Sequence, residues 1–130
     1  MAFAEVRYLL DTNICILLFG VDHPRLQERV RLCDEGDLAI SAITCAELAF
    51  GSANGKIPHP FVLDAFLRQV PVLDFDLAAA KGAYPFLPFK RASFDRLIAA
   101  HAIAKSLTLV TNNERDFADI SELRIENWTL

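Results

Sequence analysis

Apolar residues in this chain fall into short unbroken runs, separated by stretches in which they recur at helical spacing. Val6-Arg7-Tyr8-Leu9-Leu10 is the first run, closed by Asp11-Thr12-Asn13, and it reads as a strand. A helix pattern runs from Ile14 to Phe19. Pro24, after the turn from Gly20, starts a second helix with Leu26, Val30 and Cys33 on one face, ended by Glu35-Gly36-Asp37. Leu38-Ala39-Ile40 is a short second strand, and Ser41 caps a helix that carries Glu47.

Residues 51 to 60 are loop-rich. Phe61 to Val70 then predicts a helix, Val72-Leu73 a third strand, and Leu77 to about Ala83 another helix. Tyr84 to Ala92 holds two aromatics besides Tyr84, two prolines and the adjacent basic pair Lys90-Arg91. The best helical spacing follows Ser93, with Phe94, Leu97, Ile98, His101 and Ala102. Leu107 to Val110 is a fourth strand, and Leu123-Arg124-Ile125 a fifth. Short apolar strands alternating with helices predict an α/β domain whose mostly parallel sheet is covered on both faces. No repeat or linker interrupts residues 1–130, which are expected to form a single domain.

Composition narrows the picture. With 53% hydrophobic residues the chain can bury a proper core, and no apolar run approaches the ~18 residues of a membrane span. The start, Met1-Ala2-Phe3-Ala4-Glu5, has no basic segment or cleavage site, so a cytoplasmic protein is expected. Cys15, Cys33 and Cys45 lack the spacing of a zinc site and suit a reduced interior. The net charge of −4 argues against nucleic-acid binding by bulk electrostatics, though not against a nuclease whose acids are gathered at a metal site.

The candidate chemistry lies in four acids at element ends. Asp11 closes the first strand, Glu47 sits in Ala46-Glu47-Leu48-Ala49-Phe50, Asp95 precedes Leu97-Ile98-Ala99-Ala100, and Asp116 follows the fourth strand. Each has an ordinary reading: Asp11 as a helix N-cap, Glu47 on a solvated helix face, Asp95 favouring its helix dipole, Asp116 in a polar turn. As a set they stand at the carboxyl edge of a parallel sheet, where ligands bind. Carboxylates gathered there repel one another unless a hard divalent cation, Mg²⁺ or Mn²⁺, offsets their charge. Thr12, Asn13, Thr111 and Asn113 either make turn hydrogen bonds or steady such carboxylates and waters. His101 is expected to be a packed core histidine. Lys90 and Arg91 are candidates for phosphate contact, and Tyr84, Phe86 and Phe89 for packing or base stacking.

Other carboxylate-using folds fail on specific positions. A haloacid-dehalogenase-type phosphatase needs an Asp where Asn13 stands, and a phosphorelay receiver needs an early acid pair and a late Lys that are missing. No Gly-rich nucleotide-binding pattern is present.

Leu10-Asp11-Thr12-Asn13, Ile40-Ser41 through Ala46-Glu47-Leu48, Asp95 through Ala102, and Val110-Thr111-Asn112-Asn113 through Asp116-Phe117 resemble the PIN-domain ribonucleases, most closely the VapC-type toxins of toxin–antitoxin pairs. The likeness extends from the first strand to Arg124-Ile125-Glu126-Asn127-Trp128. It implies a PIN-domain α/β/α sandwich with four to five strands, and metal binding by Asp11, Glu47 and Asp95. The usual fourth acid position is occupied here by Asn113, which leaves Asp116 as the available carboxylate for a second ion or the attacking water. The chain is also short between Ala80 and Asp95, which implies a trimmed helix. The resemblance further implies a Mg²⁺- or Mn²⁺-dependent endoribonuclease, a homodimer, and inhibition by a VapB-type antitoxin in a hetero-oligomer. A tRNA anticodon loop is the expected target. The rival readings are a nuclease directed at DNA or 5′ flaps and a non-catalytic binding module of the same fold.

Overall fold

The computed structural model describes residues 5–91 and 93–130. The stretch Met1 to Ala4, on which part of the cytoplasmic expectation rested, lies outside the described residues. Five strands form one sheet in the order β3-β2-β1-β4-β5, with every pairing parallel. They are β1 (Tyr8–Leu10), β2 (Leu38–Ser41), β3 (Val72–Leu73), β4 (Thr108–Val110) and β5 (Ile125–Glu126). The helices are α1 (Thr12–Leu18), α2 (Pro24–Arg31), α3 (Ala42–Ala53), α4 (Pro60–Gln69), α5 (Phe94–Ala104) and α6 (Glu114–Phe117).

Parallel strands need crossover connections, and the side-chain alternation of each strand feeds two separate cores. Leu9, Ala39 and Leu109 point to one face, where Ile98, Ala99 and Ala102 of α5 and Phe117 of α6 meet them. Leu10, Ile40 and Val110 point to the other, packed on Ile14 and Cys15 of α1, Leu26 of α2, Leu48 of α3, Leu63 of α4 and Trp128. The register Leu9↔Leu109 and Leu10↔Val110 keeps each row on its face. This is the α/β/α sandwich expected, with all five strands in place.

Several boundaries differ from the sequence expectation: α3 runs on to Ala53, into the stretch expected as loop, and β5 spans Ile125–Glu126 rather than Leu123–Ile125. β1 begins at Tyr8 rather than Val6, because β2 enters only at Leu38; the Arg7 and Tyr8 amides both donate to the Asp37 carbonyl. α2 stops at Arg31, and the chain turns over Asp34–Asp37, where the Asp37 carboxylate accepts from the Asp34 amide and Gly36 takes a φ of +91°. The segment expected as an ordinary helix after Leu77 is a π-helical turn, Ala78–Ala83, followed by a 3₁₀ turn at Tyr84–Phe86. Ala79 and Ala83 are buried there against α5, and Pro85, with no N–H to give, prevents an α-helix from continuing.

From β1 the chain builds outward to β2 and β3, then returns to add β4 and β5 on the opposite side. The connections therefore diverge between β1 and β4, and a crevice opens beyond the carboxyl ends of those two strands. Asp11 follows β1 directly and Thr111 follows β4.

Candidate active site

Asp11 is fixed by the backbone on both sides of this crevice. Its amide donates to the Val110 carbonyl at 3.0 Å, tying the end of β1 to β4. Its Oδ1 accepts from the Ile14 amide at 2.9 Å, so it is the N-cap of α1 as well as a wall of the crevice. Only 3% of it is exposed. Burial raises its pKa from 3.8 to about 6, against hydrogen bonds from Thr111 and the Ile14 amide that hold it down; Asp95 and Glu47 push it up further.

Glu47 reaches the same cleft from α3. The Thr12 hydroxyl donates to Glu47 Oε1 at 2.6 Å and lies 3.2 Å from the Thr44 hydroxyl. Thr12 thus sets the direction of a carboxylate 35 residues away. Asp95 comes from the first turn of α5, which Ser93 caps by accepting from the Arg96 amide. Half-burial raises the Asp95 pKa, and the nearby Asp116 carboxylate adds to the rise, while Lys90 and Arg96 oppose it.

Asp11, Glu47 and Asp95 face one open cleft of about 390 Å³, which Thr12, Asn13, Asn112 and Asn113 complete with Ile16. Among the described residues no cationic side chain lines it. Asn13 donates to the Asn112 side chain at 2.9 Å across the crevice, and the buried Thr111 hydroxyl accepts from the Asn113 amide at 3.0 Å. Every polar group presented to the cleft carries oxygen, the donor chemistry a hard divalent cation prefers. Among the described residues no three Asp, Glu, His or Cys side chains close around a single point. Mg²⁺ does not require such closure, since it binds through one or two carboxylates and keeps several waters.

Asp116 is placed differently. It does not line the cleft but stands beside it in α6, a short helix where the sequence pattern suggested a polar turn. Asn113 donates to its Oδ2 at 2.6 Å and Lys90 pairs with its Oδ1 at 3.3 Å; both contacts lower its pKa. The structure therefore ties Lys90 to an acid rather than leaving it a free cation, while Arg91 is exposed. His101 is fully buried, with Nδ1 2.8 Å from the Ser41 hydroxyl and its ring edge-on to Phe75, and burial lowers its pKa. It is a core residue, as its place on the apolar face suggested. All three cysteines are free thiols.

Sequence reasoning passed over Arg96. It is 4% exposed, pairs with Asp119 at 2.9 Å, and donates to the Asp116 carbonyl at 3.3 Å. The signal was available: Arg96 stands three and four residues before Ala99 and Ala100 on a helix that is buried nearly all round.

The fold is a parallel α/β domain with three carboxylates at its switch point, and the comparisons say which family builds it. The family model for the PIN domain matches residues 8–123, and the chain belongs to the PIN-domain family. It is 34% identical to the tRNA(fMet)-specific endonuclease VapC of Shigella flexneri, over 95% of this chain and 99% of that protein. It is also 34% identical to Ribonuclease VapC2 of Rickettsia felis, over 93% and 97% respectively. The crystal structure of VapBC2 from Rickettsia felis bound to a DNA fragment from their promoter superposes with a TM-score of 0.82. That match is at 33% identity and covers 95% of this chain and 99% of that one.

Proposed function

We propose that this chain is a metal-dependent endoribonuclease acting as the toxin of a VapBC-type toxin–antitoxin pair. The observation that carries the reading is the buried Asp11 carboxylate facing Glu47 and Asp95 across a cleft whose lining, among the described residues, holds no cationic side chain. Charge gathered in this way is costly unless a cation offsets it. When bound, Mg²⁺ or Mn²⁺ supplies acidity to a water and offsets charge developing on the scissile phosphate.

The chain's own residues hold and orient. Asp11, anchored by β4 and by α1, gives the most rigid carboxylate; Glu47 is aimed by Thr12, and Asp95 is carried on the capped start of α5. Asn113 and Asp116 form a second corner, where the Asp116 carboxylate, held by Asn113 and Lys90, would orient a water or help hold a second ion. Asn13 and Asn112 offer amide groups to the strand entering the cleft. The names of the relatives make an initiator tRNA the first substrate to try. An anticodon loop suits the open cleft, because its phosphates and bases are unpaired.

A VapB-type antitoxin is the proposed partner, bound to a toxin homodimer in the cytoplasm. Exposed apolar side chains of α3 and α4 and the loop between them, Phe50, Ile57 and Phe61, support a protein covering that surface. The test is incubation of purified protein with tRNA(fMet), an elongator tRNA and matched DNA, each with Mn²⁺ or with chelator. Cleavage of the RNA only with metal is expected. Metal-independent cutting would remove the metal from the mechanism, and preference for DNA would replace the substrate class.

A further inference from the structure

Two contacts compete for the single hydrogen of the Thr12 hydroxyl. Its Oγ1 lies 2.6 Å from Glu47 Oε1 and 3.2 Å from Thr44 Oγ1. A threonine hydroxyl has one hydrogen to give and two lone pairs to receive with, whereas a carboxylate only accepts. Glu47 therefore takes the Thr12 hydrogen. The contact with Thr44 must then run the other way, the Thr44 hydroxyl donating and Thr12 accepting. The three groups form one directed chain, from Thr44 to Thr12 to Glu47, in which each hydrogen is used once.

Thr44 is the buried end of that chain. It sits in the first turn of α3 with no exposure, three residues before Glu47 and so on the same side of the helix. A helical threonine can direct its hydroxyl to the carbonyl three or four residues back. Here, among the described residues, Thr12 is the hydrogen-bond partner its side chain has. Valine would fill the same space with no polar atom to satisfy, so packing alone does not call for a hydroxyl. Thr12 lines the open cleft, where water competes for its hydroxyl, while Thr44 lies out of water's reach. A hydroxyl that accepts one hydrogen bond is polarised to donate a stronger one.

We infer that Thr44 is a positioning residue for the cation site: acting through Thr12, it fixes one oxygen of Glu47 and so sets how that carboxylate is presented to the cleft. The inference rests on the metal-dependent reading of the cleft and extends it to a residue that does not touch the cleft itself.

Calorimetric titration with Mn²⁺ in the absence of RNA, together with thermal melts in chelator, tests it. Thr44→Val should weaken Mn²⁺ binding about tenfold, the lower end of what hydrogen bonds supporting metal ligands are worth. Thr44→Ser keeps the hydroxyl and should restore the wild-type affinity. In a Thr12→Val background the chain is already cut, so adding Thr44→Val should leave Mn²⁺ affinity where Thr12→Val put it. There it should also raise the melting temperature, because it removes a hydroxyl that would otherwise be buried without a partner. A role in packing alone gives another pattern, with melting temperatures shifted and Mn²⁺ affinity unchanged. Wild-type affinity in Thr44→Val, an equal loss in Thr44→Ser, or full additivity with Thr12→Val would each overturn the inference. If the Mn²⁺ results are as expected but no RNA is cut, the ribonuclease reading fails and the positioning role stands. If RNA is cut only with metal while Thr44→Val binds Mn²⁺ as wild type does, the positioning role alone fails. Absence of Mn²⁺ binding in the wild-type protein would end both.

Discussion

Asp11 and Asp116 are aspartates on the same edge of the same sheet, and the fold treats them in opposite ways. Asp11 is pinned between β1, β4 and the first turn of α1, almost without exposure, and its pKa is raised to about 6. Asp116 rides on a helix of a single turn, is part-exposed, and has its pKa lowered by Asn113 and Lys90. One carboxylate is held against its own preference for water, while the other has found local partners. Stability is given up at the first corner for a rigid ligand position, and the second corner is adaptable.

The largest expected effect falls on the first corner. Asp11→Asn, Glu47→Gln and Asp95→Asn should each cut RNA cleavage by more than about a hundredfold, beyond what losing a supporting hydrogen bond costs. Asp11→Asn should also be the more stable protein in chelator at neutral pH. The folded-state pKa of Asp11 lies above its unfolded value of 3.8, so ionisation opposes folding. Wild-type stability should therefore fall as pH rises from about 4 to about 6 and then level off, by at most roughly 3 kcal/mol from this group. The Asn variant should lack that fall, and Mn²⁺ should reverse it in wild type. Thermal melts across pH, with and without metal, read this out; a wild-type curve that climbs over this interval in chelator would contradict the assigned burial cost.

Thr12→Val comes next. It removes the donor that aims Glu47 while preserving shape, and should reduce activity or metal affinity by about 10–100-fold. Calorimetry with Mn²⁺ separates the two. At the second corner Asp116→Asn should cost less, about tenfold or below. Asn113→Asp should tighten binding of a second ion, seen as a second step in the same titration. Complete loss of activity in Asp116→Asn would make the two corners equivalent.

The smallest effect is expected from the basic pair. Lys90 is already compensated by Asp116, so Lys90→Ala with Arg91→Ala should raise KM modestly. It should flatten the salt dependence by about one contact rather than two, with metal affinity unchanged. A loss of two full units of slope would show that Lys90 leaves Asp116 when RNA binds.

Legibility in the sequence followed the range of the interactions. The five strands, the Ser41 cap and the proline start at Pro24 rest on neighbours within a few residues, and the structure has them near the expected positions. The π-helical turn was invisible, because its small residues fit any helix and the wider hydrogen bonding arises where it packs on α5. α6 is too short to leave a periodic signal.

Asp11, Glu47 and Asp95 could be singled out as carboxylates at the ends of apolar elements, since burying such a group is costly anywhere in a chain. Their meeting in one cleft depends on the strand order that sets β1 beside β4, and that order is decided by which faces of the helices fill the two cores. The same holds for the contacts that separate the two corners. Thr12 meets Glu47 across 35 residues, Arg96 meets Asp119 across 23, and Lys90 reaches Asp116 from another loop. The chain's local pattern determines which residues are apolar, capped or costly to bury. Only tertiary packing determines which of the costly ones find a partner, because a hydrogen bond between distant residues forms where close-packed cores hold both ends in place.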